Sequence, residues 1–178
     1  MAWDPVAELT DEERENFRRS GEDSERLWLN VPGPFWTGMT DNCWTGRTEA
    51  PDNVLYAAGS AYCTEYVFRQ PRNPAEVRAL AGAAWADPLG EYSCDGDLRW
   101  TPAEVRAWWT DRGRVVGHLA ESLADFGKGG SVTNADAAAG VRDFQAYLDG
   151  GLADDLRAYL FRLEEGRYPE AGERLPRL

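Results

Sequence analysis

Residues 61–85 read AYCTEYVFRQPRNPAEVRALAGAAW, and the change of character at Pro71 decides the fold class. Before it, Tyr62, Thr64, Tyr66 and Phe68 alternate with Cys63, Glu65, Val67 and Arg69, the period of two that puts neighbouring side chains on opposite faces of a strand. After it, Asn73 can cap a helix, Pro74 takes the first helical position and Glu76 the third. Val77, Leu80, Ala81, Ala84 and Trp85 then recur at helical spacing, and the helix should stop before Pro88. A strand that gives way to an amphipathic helix predicts an α+β domain.

Toward the N-terminus, residues 53–57 predict a second strand, joined to 61–70 by a hairpin at Gly59-Ser60. Arg26-Leu27-Trp28-Leu29-Asn30-Val31 predicts a third, stopped by Pro32-Gly33-Pro34, which can neither donate to a ladder nor continue a helix. From 35 to 52 the chain mixes Gly, Thr, Asn and Asp with Phe35, Trp36, Met39 and Trp44, and reads as an ordered loop packing its own aromatics. Thr10 and Glu13 form a capping box for a helix over about 10–20 that Gly21 should end. Its acids precede Arg18 and Arg19, which suits the helix dipole.

Toward the C-terminus, the hexapeptide of residues 74–79 returns as Pro102-Ala103-Glu104-Val105-Arg106-Ala107 behind Thr101, a shared way of starting a helix and too short to be a structural repeat. The periodicity predicts a helix over 102–112, a break at Gly113 and continuation to Phe126. Gly127-Lys128-Gly129-Gly130 reads as a turn, and helices over 134–149 and 152–164 make a hairpin through Gly150-Gly151. The tail from Gly166 should drape or fray. The expected architecture is a single domain over 1–178, a small antiparallel sheet followed by a helical half. Its parts are an N-terminal helix (1–22), strands and aromatic loop (23–70), helices (71–165) and tail (166–178).

The chain has 178 residues, with 31 Asp and Glu against 19 Lys and Arg and a net charge of −12. That field disfavours nucleic acid and anionic membranes and favours a basic partner. Lys128 is the one Lys, so Arg can lace acids into bidentate networks. No apolar run approaches the ~20 residues of a membrane span, and Met1-Ala2-Trp3-Asp4 lacks a signal-peptide pattern, so a cytoplasmic protein is expected.

Cys43, Cys63 and Cys94 include no CxxC pair, which argues against zinc or an iron–sulfur cluster and for buried thiols. A Cys₃His site with His118 is conceivable, but no spacing demands it. There is no Gly-x-Ser-x-Gly nucleophile motif; Gly127–Ser131 lacks phosphate-loop spacing, and Asp95-Gly96-Asp97 is a tight turn rather than a calcium loop. No cofactor is expected. The phrases WLNVPGPFW (28–36), DNCWTGR (41–47) and EYVFRQPRNPAEVR (65–78) resemble small acidic actinobacterial proteins, some loosely labelled ferredoxins. The resemblance spans about the middle half of the chain and supplies no catalytic residue.

The most informative segment runs from Trp85 to Trp100, where acids gather around aromatics with no cation before Arg99. Acids beside aromatics suit an Arg- or Lys-bearing partner through charge pairing and cation–π contact. Trp44, Asp87, Glu91, Tyr92, Asp95, Asp97 and Trp100 are therefore the candidate partner-binding residues. The leading functional expectation is a stoichiometric inhibitor or immunity-type protein covering a basic partner such as a toxin or nucleic-acid-binding enzyme. One alternative is a small enzyme or ligand-binding domain with an aromatic pocket and Glu65 or Asp97 as acid–base; another is a general scaffold.

Overall fold

The computed structural model describes residues 3–17, 24–41, 44–58 and 64–178. Its elements are α1 (Asp11–Asn16), β1 (Trp36–Thr37), α2 (Thr45–Glu49), β2 (Val54–Tyr56), β3 (Glu65–Val67) and α3 (Pro74–Ala86). Then come β4 (Tyr92–Ser93), α4 (Gly96–Arg99), α5 (Pro102–Thr110), α6 (Arg112–Lys128), α7 (Val132–Asp149) and α8 (Leu152–Glu165). The chain is thus α+β, with short antiparallel ladders and a helical C-terminal half.

β2 and β3 pair with Val54 opposite Val67, Leu55 opposite Tyr66 and Tyr56 opposite Glu65. Alternation sends Leu55 and Tyr66 into the core of the helical half, with Val105, Leu119, Val141, Phe144 and Leu160. It sends Val54 and Val67 into a second core with Phe17, Phe35, Val77, Leu80 and Tyr92. The ladder lies between two cores, so all of its residues are buried.

The helix starts follow their capping chemistry. Thr10 and Thr101 each accept the N–H of the third helical residue while Glu13 and Glu104 reach back to them. Asn73 Oδ1 accepts from Glu76 N at 3.0 Å, but Glu76 turns to Arg72, at 3.1 Å from its guanidinium. The repeated hexapeptide therefore spends its glutamate in two ways.

Several boundaries differ from the sequence reading. Residues 27–30 form a turn rather than a strand, because buried Asn30 anchors it: Nδ2 donates to Leu27 O (2.8 Å) and Thr37 O (2.7 Å). Its Oδ1 accepts from Thr37 N and Val67 N, each at 3.0 Å, a crosslink between segments that an added strand would not supply. The loop over 35–52 contains β1 and α2, and β1 pairs with β4, which falls beyond residue 71. The helical break lies at Asp111 instead of Gly113; Asp111 N closes α5 on Ala107 O and its own carbonyl accepts from Arg114 N. Ser131 caps α7 and starts it at Val132. The tail drapes, with Arg106 Nε and Arg157 Nε donating to Arg177 O and Pro176 O, each at 3.0 Å. α1 ends at Asn16 with Phe17 as its C-cap, short of the expected 10–20, while Gly21 and the Gly59-Ser60 hairpin lie outside the described residues. No helix among the described residues is long and apolar enough to cross a membrane.

Candidate functional site

α3 buries Val77, Leu80, Ala81, Ala83 and Ala84, yet Trp85 in its last turn is 71% exposed. Leu89 and Met39 are 55% and 47% exposed. Two hydrogen bonds bring their segments together: Gly38 N donates to Glu91 O at 2.9 Å, and Asp41 N to the Asp87 carboxylate Oδ1 at 3.4 Å, so Met39 sits between two tethers. The Glu49 carboxylate overlies Gly82, one turn before Trp85. Neither residues 35–46 nor residues 79–98 contain a Lys or Arg. Arg78, the one cation of α3, lies about 10 Å along the helix from Trp85 and is held by Glu13 (3.3 Å) and Glu8 O (2.8 Å). An exposed apolar trio on an acidic background results.

Behind this face, Glu65 is buried on β3. Its Oε1 accepts from Gly46 N at 2.9 Å and its Oε2 from Tyr92 Oη at 2.8 Å. Thr40 Oγ1 accepts the Glu65 N–H at 2.7 Å. Burial lifts the carboxyl to about 7 against the two hydrogen bonds it receives, and Asp41 and Asp87 push the same way. A Cβ on Gly46 would meet Glu65 Oε2 at 2.1 Å, so a glycine is required for this close approach. The arrangement staples Thr40 and Gly46 to β3.

The seven residues expected to form one acidic, aromatic surface are distributed among different environments. Asp87 is 1% exposed and ends α3, accepting from Leu89 N (3.3 Å) and Glu91 N (2.7 Å). Tyr92 is buried on Glu65. Burial withdraws both from direct contact. Glu91 is half-buried and accepts from Ser24 Oγ. Asp95 accepts from the buried Trp36 indole at 2.8 Å and from Arg99 at 3.0 Å, while Asp97 holds Arg162 at 2.9 Å. These two line a groove of about 610 Å³ with Asp4, Arg14, Arg99 and Arg162, where acids and arginines match in number. Trp100 lines a different depression and stacks under Arg26 at 3.9 Å, and Trp44 packs on Tyr56 and Phe126, 4.2 and 5.8 Å away.

Cys94 belongs to the Val54–Val67 core, and His118 packs against Trp28 and Tyr66 on the other side of the ladder. Burial lowers the His118 pKa, and Ser122 Oγ lies 3.2 Å from its Nε2. Cys43 and Cys63 lie outside the described residues. Among the described residues no group of three or more His, Cys, Asp or Glu could hold a metal ion.

Sequence reasoning missed the contact-competent trio. Trp85 falls on the apolar stripe of α3 and reads as inward; only its position in the last turn, two residues before a proline-containing turn, marks it as a residue the core need not reach. Leu89 and Met39 sit in short loops without periodicity. No family model, curated protein or solved structure matches this chain.

Proposed function

We propose that this chain is a cytoplasmic, acidic protein-binding module that acts stoichiometrically, as an inhibitor or immunity-type protein, on a basic partner. The observation that carries the reading is Trp85, 71% exposed beside exposed Leu89 and Met39 on segments without a cation. Large apolar side chains in a polar rim are the composition of an interface centre, where desolvated tryptophan supplies most of the affinity. Asp41 and Glu91 lie on the two tethered segments and Glu49 overlies Gly82, and the net charge of −12 adds long-range steering toward a cationic surface. A toxin or nucleic-acid-binding enzyme has such a surface.

Photo-crosslinking tests the proposal, with a benzophenone amino acid placed at 85 in the full chain inside its native cell. Position 132 serves as control, since Val132 is 88% exposed. The expected result is one basic protein captured from 85 and not from 132. An acidic product, or equal capture from both positions, overturns it.

A further inference from the structure

Where the N-terminal segment, the turn at 31–34, α7, α8 and the tail meet, a cavity of about 220 Å³ opens between the rings of Trp3, Tyr147, Tyr159 and Tyr168. No two of these rings stack on one another, so they frame the space instead of filling it. Two already serve as platforms for a cation, with Arg69 4.7 Å over Tyr147 and Arg162 5.4 Å over Tyr168. Four prolines complete much of the wall.

Of the arginines around the cavity, Arg69 over Tyr147 has no ion pair among the described residues, and two others are paired. Arg72 lines it but is committed to Glu76, at 3.1 Å. Arg162 is committed to Asp97 at 2.9 Å and Asp4 at 3.4 Å. Asp155 has no ion pair among the described residues; its Oδ2 accepts from Tyr147 Oη at 2.6 Å, and the neighbouring Arg157 pairs with Asp154 instead. Burial and then the Asp155 charge push the Tyr147 phenol up, which keeps it a donor to that carboxylate.

Ring faces and a carboxylate attract positive charge, and among the described residues Trp3 and Tyr159 carry no arginine on their faces. Apart from Arg72, Asp155, Gln70 and the tyrosine hydroxyls the wall is apolar, so a primary ammonium would recover only part of the hydration of its three N–H donors. A fully alkylated ammonium has no such donors and presents methyl groups to the rings. We propose that this cavity binds a quaternary or fully methylated ammonium group, with the four rings around its methyls and Asp155 as counter-ion. Drug-sized ligands fill about 300–1,000 Å³, so the site takes a headgroup and leaves the remainder of its ligand outside.

The test titrates choline into the full chain, followed by tryptophan fluorescence and by NMR of the tyrosine rings. Dimethylbutanol, the uncharged isostere with carbon in place of nitrogen, is the comparison. Choline is expected to saturate the site and the alcohol to bind at least ~10-fold more weakly. Trp3→Ala and Tyr168→Ala are each expected to weaken choline by ~10-fold, and Asp155→Asn, which leaves Tyr147 an acceptor, by ~5-fold. Melting curves identify the variants that keep the fold. A trimethyllysine peptide that binds more tightly than choline assigns the group to a partner chain, and the reverse order assigns it to a free small molecule. Absence of saturation up to ~10 mM choline, equal binding of the alcohol, or unchanged affinity in folded Tyr168→Ala and Asp155→Asn variants overturns the proposal.

Discussion

Arg47 and Asp136, 89 residues apart, form a bidentate pair: Nε donates to Oδ2 at 2.7 Å and Nη2 to Oδ1 at 3.1 Å. Arg47 is 4% exposed and its Nη1 also donates to Pro51 O at 2.6 Å and Val54 O at 3.2 Å, so its donors tie α2 and β2 to α7. Removing Asp136 leaves a buried guanidinium without its anion. Because the Asp136 side chain is 52% exposed, the cost is discounted from that of a fully buried pair. Asp136→Ala is expected to lower unfolding free energy by about 2–3 kcal/mol, measured by urea denaturation.

Asn30 holds the second long-range crosslink. Asn30→Ala strands the N–H groups of Thr37 and Val67 in a buried site and removes one of the two donors to Thr37 O, which keeps the Leu27 N–H. The expected loss is about 3 kcal/mol or more, with Asn30→Asp intermediate because it keeps the acceptor and loses the donor. Melting temperatures of the two variants check the order.

Glu65 makes stability depend on pH in a defined direction. Its pKa rises from 4.5 in the unfolded chain to about 7 in the fold, so the folded state binds the proton more tightly. Its contribution is full below 4.5, declines as pH rises through the interval to 7, and is absent above it. The span corresponds to about 3 kcal/mol. Denaturation at a series of pH values is expected to show this decline in the wild type and a flatter profile in Glu65→Gln. Gly46→Ala, which drives a methyl into the same carboxylate, should destabilise at every pH.

The fold class was legible because capping and periodicity agree: Thr10, Asn73 and Thr101 all accept a helix-start N–H. The alternation at 65–68 likewise put Tyr66 and Val67 on opposite faces, and in the fold each face meets its own core. What stayed hidden depends on contacts distant in sequence. Nothing around Leu27–Val31 reveals that Asn30 will bond to Thr37 and Val67, so an apolar run reads as a strand. The charge of Asp95 and Asp97 was visible, but their arginines were not, since Arg162 is 65 residues from Asp97. Trp85 shows the converse, an apolar position whose exposure follows from where neighbouring elements end.

Charge variants separate steering from structure. Asp41→Asn, Glu49→Gln and Glu91→Gln together are expected to slow association with the partner captured at position 85 and to flatten its salt dependence. Asp95→Asn and Asp97→Asn break pairs with Arg99 and Arg162 and should act on stability instead. Stopped-flow association rates and melting curves, collected for both sets, distinguish the two effects.

On the proposed reading Trp85 is an interface anchor. The direct measurement sets the affinity of Trp85→Ala for the captured basic partner beside its melting temperature, with Trp100→Ala in parallel. Trp85→Ala is expected to weaken binding by about 2 kcal/mol, roughly 30-fold, mainly through faster dissociation and beyond what any shift in its melting temperature accounts for. Trp100→Ala, which removes the platform under Arg26, is expected to lower the melting temperature and leave affinity in place. Unchanged affinity in Trp85→Ala, or a loss of stability that accounts for its weaker binding, would contradict the account.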